Sequence, residues 1–78
     1  MAKLELYGTS RCPHTQEMRE WLEWKRSDFV EYDVEADADA RYRMRELAPG
    51  HRSVPLLVED GKVAQVGWQG RSCMIDAE

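Results

Sequence analysis

The stretch Lys3-Leu4-Glu5-Leu6-Tyr7-Gly8-Thr9-Ser10-Arg11-Cys12-Pro13-His14-Thr15 decides how this 78-residue chain is read. Leu4 and Leu6 alternate with Glu5 and Tyr7, the period-two pattern of a strand, and Gly8, Thr9 and Ser10 break it. Pro13 suits the first turn of a helix, because its fixed φ is helical and the N–H it lacks would have had no partner there. Cys12 therefore falls at the helix N-cap, in a loop that follows the strand's carboxyl end.

Working outward, Met18, Trp21, Leu22 and, at the stripe's edge, Trp24 recur at helical spacing, which predicts a helix ending near Ser27. Phe29 to Val34 is β-branched and aromatic and places Val30, Tyr32 and Val34 on one face, a second strand. Strand, helix and strand at this spacing make a βαβ unit with parallel strands and a right-handed crossover. Asp37 or Asp39 caps a second helix with an apolar stripe at Ala40, Met44, Leu47 and Ala48, ended by Pro49-Gly50. Val54 to Val58 is an apolar run of buried-strand character, Asp60-Gly61 is a hairpin turn, and Lys62 to Val66 returns antiparallel. The order β-α-β-α-β-β predicts an α/β fold with a mixed sheet of four strands, one domain over residues 1–78.

Composition narrows the function. Hydrophobic residues make up 42% of the chain and charged ones 33%, with no window apolar enough to cross a bilayer, so a soluble protein with no membrane partner is expected. A formal net charge of −4 lacks the basic field that phosphate backbones require, so nucleic acid is not expected as a partner. No basic start followed by an apolar stretch precedes the first strand, and a cytoplasmic location is the expectation. Only Cys12 and Cys73 are present, and thiols in a reducing compartment form disulfides chiefly when these are used chemically.

A thiol is a nucleophile only as thiolate, and a helix N-terminus favours the thiolate through its unpaired N–H groups and dipole. Cys12 sits where that field is strongest; Cys is also a poor cap beside the Thr9 and Ser10 available for the purpose. Arg11 is expected to add positive charge beside the sulfur and Thr15, one turn along, to donate a hydroxyl hydrogen bond to it. His14 is an exposed first-turn side chain whose titration would tune the neighbouring thiol. A zinc site would need Cys12, His14, His51 and Cys73, which lack compact spacing, and no metal is assigned.

The segment Tyr7 to Thr15 resembles the strand-loop-helix opening of glutaredoxins, in which Cys-Pro-x-Cys or Cys-Pro-x-Ser is typical; here the motif is the single-cysteine Cys-Pro-His-Thr. Ser53-Val54-Pro55 is similar to the family's Thr-Val-Pro, and Gly50-His51-Arg52 to the approach to that turn. The resemblance implies a thioredoxin-like fold, a cis Pro55 facing Cys12, and glutathione lying along Val54 and Pro55 with Arg52 near its carboxylates. Pro13, His14, Ser53, Gly67 and Trp68 join these as expected substrate-side residues. Gly67-Trp68-Gln69-Gly70 is similar either to the Gly-Gly of glutaredoxins or to the Trp-Ser-Gly-Phe of NrdH-type redoxins, which leaves glutathione and a thioredoxin-reductase-like protein open as reductants.

What the resemblance implies is thiol-disulfide exchange or electron carriage by Cys12, acting on glutathione or protein disulfides with glutathione as co-substrate. Thr15 stands where dithiol members carry a resolving cysteine, and Cys73 is the one other thiol. Sequence leaves Cys73 between a half-buried tail thiol and a resolving partner, because disulfide geometry needs Cα atoms within about 7 Å. The alternative is a glutathione-dependent [2Fe–2S] module bridging a homodimer through Cys12; a third reading is an adaptor without turnover. A monomer is expected, with a dimer open because Arg71 to Glu78 supplies only a shortened C-terminal helix of about one turn at 3.6 residues each.

Overall fold

A computed structural model describes residues 3–50 and 52–74. The chain runs β1 (Leu4–Gly8), α1 (Pro13–Trp24), β2 (Phe29–Asp33), α2 (Ala38–Leu47), β3 (Ser53–Val54), β4 (Leu56–Glu59), β5 (Lys62–Val66) and β6 (Cys73–Met74). The main sheet has the order β2-β1-β4-β5. β1 pairs in parallel with β2 and antiparallel with β4, and β4 pairs antiparallel with β5, so the sheet is mixed as its sequence predicts. β3 and β6 form a separate antiparallel pair.

Strand alternation sends side chains to both faces of the sheet, and each face has its own core. Tyr7, Val34, Val54, Leu56 and Val58 pack with Ala40, Met44 and Ala48 on the α2 side. Leu6 and Leu57 pack with Met18 and Leu22 on the α1 side, flanked by Leu4, Trp21, Phe29 and Trp68. All four stripe residues expected of α2 face inward, Leu47 from the cluster's margin. Asp37 is its N-cap, accepting from the N–H groups of Asp39 at 3.0 Å and Ala40 at 3.3 Å. At the β4–β5 hairpin Asp60 and Gly61 both have positive φ, 53° and 80°, the conformation a two-residue type I′ turn needs.

The structure corrects the sequence reading in several places. α1 stops at Trp24 rather than near Ser27, because Arg26 takes a left-handed φ of 59° and Ser27 N–H bonds back to Leu22 O at 3.0 Å, closing the helix in a Schellman motif. Trp24 lies on the solvent side, 81% exposed, and Val30 is exposed on the edge strand β2. The apolar run Val54 to Val58 is two strands, divided at Pro55, whose peptide bond with Val54 is cis and whose missing N–H interrupts the ladder. The helical turn expected over Arg71 to Glu78 is replaced, as far as the described residues go, by a tight turn and β6; residues 75–78 and His51 lie outside them.

Candidate active site

Cys12 is the N-cap of α1, with extended backbone (φ −89°, ψ 116°), and Pro13 occupies the first helical turn. No acidic side chain sits in that turn to offset the positive end of the dipole. The Cys12 side chain does not cap the helix and is turned inward, leaving the residue 3% exposed.

The sulfur of Cys12 is joined to that of Cys73 in a disulfide, with Cα atoms 6.0 Å apart across 61 residues of sequence. The tail thiol is therefore the partner of Cys12, and its alternative reading as a free thiol does not hold in this form. The tail is delivered by a second tight turn. Trp68 N–H bonds to Arg71 O at 2.7 Å and Arg71 N–H to Trp68 O at 2.9 Å, around Gln69 and Gly70 at φ 52° and 78°. Gly67, also at positive φ, donates its N–H to Pro55 O at 2.7 Å, and a Cβ there would stand 2.8 Å from Arg71 O. Sequence reading missed this turn: Gln-Gly is a weaker signal than the Asn-Gly or Asp-Gly of a standard hairpin.

The backbone edge expected to face a peptide ligand is filled by the chain itself. Cys73 pairs with Val54 and Met74 with Ser53, antiparallel, and Cys12 Sγ lies 4.0 Å from Val54 O. Pro55 is fully buried beneath this edge, and Arg52 is exposed just before it. Thr9, Arg11, Cys12, Glu35, Cys73 and Met74 line a cleft of about 150 Å³ beside the disulfide.

Two neighbours of Cys12, Arg11 and Thr15, behave differently from expectation. Arg11 forks onto Glu35, with Nε–Oε1 3.2 Å and Nη2–Oε2 2.6 Å, so its charge is largely balanced by that carboxylate. Thr15 is buried against Gly8, and its hydroxyl has no hydrogen-bond partner rather than bonding the sulfur. His14 Nδ1 lies 3.1 Å from Glu17 Oε1, one turn along its own helix. Trp68 sets its ring against Trp21, 5.4 Å between centroids, on the α1 side of the sheet.

Among the described residues no group of three His, Cys, Asp or Glu side chains converges as a metal site. A [2Fe–2S] cluster would need the Cys12 thiolate at the surface; with its sulfur bonded to Cys73 and its residue buried, this form does not fit one. No helix among the described residues is long and apolar enough to cross a membrane.

Comparison with known proteins places these features. The glutaredoxin family model matches residues 4–64. A probable glutaredoxin of Synechocystis is 39% identical over 54 residues, 69% of this chain and 50% of the relative. The chain thus aligns with about half the length of that relative. A glutaredoxin-like protein from the rubredoxin operon of Clostridium pasteurianum is 33% identical over 60 residues, 77% of this chain and 79% of its own. Among solved structures, a thioredoxin-like protein in point-mutant form superposes with a TM-score of 0.76 at 35% identity, covering 88% of this chain and 86% of its own. The glutaredoxin of Archaeoglobus fulgidus gives 0.71 at 26% identity, covering 88% and 78%. The family match takes in both Cys12 and the Val54–Pro55 turn and ends before Cys73. The fold is thioredoxin-like, and the chain belongs to the glutaredoxin family.

Proposed function

We propose that the protein is a thiol-disulfide oxidoreductase in which Cys12 is the nucleophile and Cys73 its resolving partner. The observation that carries this reading is the Cys12–Cys73 disulfide at the N-terminus of α1. In the reduced protein the helix terminus favours the Cys12 thiolate. This thiolate attacks one sulfur of a substrate disulfide, a mixed disulfide forms at Cys12, and the other substrate sulfur leaves as thiolate. Cys73 thiolate then attacks Cys12 Sγ, releasing the second substrate thiolate and leaving the pair oxidised by two electrons.

Glutathione is the proposed reductant and co-substrate. The reading is supported by the extended edge at Ser53 and Val54, whose backbone groups accept a cysteine-containing strand in antiparallel register. Arg52, exposed beside this edge, is the proposed contact for a glutathione carboxylate. The proposed setting is a reducing compartment such as the cytoplasm, with the protein acting as a monomer.

Turnover of a small mixed disulfide with glutathione as electron donor tests this. The expected result is activity that Cys12→Ser abolishes and Cys73→Ser leaves measurable, because a second glutathione can resolve the adduct. Turnover supported by a thioredoxin reductase but not by glutathione would move the assignment of reductant, and turnover that survives Cys12→Ser would overturn the reading.

A further inference from the structure

We infer that Trp68 is a positioning residue for the resolving step: seated on Trp21 of α1, its ring keeps the tail beside Cys12 while the disulfide is open. The inference rests on the exchange reading above and names what delivers Cys73. The step it serves is the one already balanced there, in which Cys73 thiolate bonds to Cys12 Sγ, the bond from Cys12 to glutathione breaks, and glutathione leaves as thiolate.

Few contacts hold the tail. Gly67 is fixed on both sides, its N–H donating to Pro55 O at 2.7 Å and its C=O accepting from Gln65 Nε2 at 3.2 Å. Cys73 follows across residues 68–72, and a stretch of that length lets it range about 20 Å from Gly67. The covalent tether alone therefore does not set where the thiol lies. Among the described residues from Trp68 onward, only Trp68 and Cys73 are partly buried and the others are exposed.

Apart from Cys73 itself, Trp68 is thus the side chain that seats this segment on the body of the protein. Its ring centroid lies 5.4 Å from that of Trp21 with the planes at 53°, a tilted arrangement of the kind aromatic pairs favour. Its backbone N–H and C=O make both bonds of the turn with Arg71. Trp21 is held in turn by Lys25, whose Nζ stands 4.2 Å from the ring centroid. Trp21 belongs to the helix that Cys12 caps, so the nucleophile and the dock for its partner's turn ride on one rigid element.

The dock matters most when the strand pairing is not available. In the adduct of the exchange reading, glutathione takes the Ser53 and Val54 edge that β6 occupies in the disulfide form, so that pairing does not hold Cys73. Trp68 packs on the α1 side of the sheet and does not line the cleft beside the disulfide, so glutathione at the edge leaves its contact with Trp21 intact. This contact keeps Cys73 at a high effective concentration near Cys12, and an aromatic pair of this kind is worth roughly threefold to tenfold in that concentration.

The test mixes the reduced full-length chain with glutathione disulfide, stops the reaction with acid, and follows the masses of the adduct and the internal disulfide with time. Trp68→Ala should slow conversion of the Cys12 adduct to the disulfide by roughly threefold to tenfold, and Trp68→Phe should restore most of the rate. Trp68→Leu, which keeps apolar volume but no ring, should also slow the conversion and serves where the Ala chain does not fold. In a Cys73→Ser background, Trp68→Ala should form the adduct as fast as its parent, which separates positioning of the tail from contact with substrate. Conversion as fast in the Ala or Leu variant as in wild type, or an equal fall in adduct formation in the Cys73→Ser background, would overturn the inference and leave the exchange reading standing. A wild-type adduct that persists with Cys73 free would remove Cys73 as resolving partner, and both readings with it.

Discussion

Thr15 holds a buried hydroxyl without a partner, pressed against Gly8, one helical turn from Cys12. Leaving such a group unsatisfied costs about 1–3 kcal/mol, and a Val of the same shape avoids the cost. Thr15→Val is therefore expected to stabilise the oxidised protein by about 1 kcal/mol in denaturant unfolding. In the reduced protein the same hydroxyl is a buried donor one helical turn from the thiolate, so alkylation of Cys12 should shift to higher pH in the variant. Unchanged alkylation would leave Thr15 a packing residue only. Tyr7 offers a second test. Burial, then the nearby Glu5 carboxylate, raise its pKa above the ordinary 10.0. A raised folded-state value means that the contribution is intact below pH 10 and lost as the pH climbs from there through the folded pKa. The alkaline fall in stability should be smaller in Tyr7→Phe, measured against wild type by urea unfolding between neutral pH and pH 10 and above.

At the scale of elements, the contrast is between structure written locally and structure made by distant partners. The Asp60-Gly61 turn, the Asp37 cap and the α2 stripe were legible because each depends on residues within one or two turns of chain. β3 and β6 were not, because two-residue strands carry no periodicity and Val54 meets Cys73 only after the chain has turned at Gln69 and Gly70. The end of α1 was misplaced for a related reason: Arg26 does in the left-handed region what Gly ordinarily does, leaving no compositional mark. Relieving that conformation in Arg26→Gly should raise stability by up to about 1 kcal/mol. Gly67→Ala should do the opposite. Its Cβ would press on Arg71 O, disturbing the turn that carries Cys73, so the variant should form less Cys12–Cys73 disulfide at a given glutathione poise.

For the molecule as a whole, the disulfide joins the first helix to the tail across 61 residues, and closing a loop of that length restricts the unfolded chain by about 4 kcal/mol. Reduction is expected to lower the unfolding free energy by an amount of that order, read from melts with and without a phosphine. A domain this small has little stability to spare, so the redox state of one bond should be visible in its unfolding. The position of Cys12 at a strand end and helix start could be read from sequence, since Pro13 and the broken alternation at Gly8 mark it. What Arg11 and Thr15 do there could not, because Glu35 and Gly8 reach them through the fold.

The most direct measurement is intact mass after brief exposure of the fully reduced protein to glutathione disulfide, with Cys12→Ser and Cys73→Ser alongside. Wild type should lose two hydrogens as a monomer, Cys73→Ser should hold one glutathione through Cys12, and Cys12→Ser should form no internal disulfide. A wild-type chain that keeps glutathione on Cys12 with Cys73 still free, or one that does not react at Cys12, would contradict the paired-cysteine mechanism.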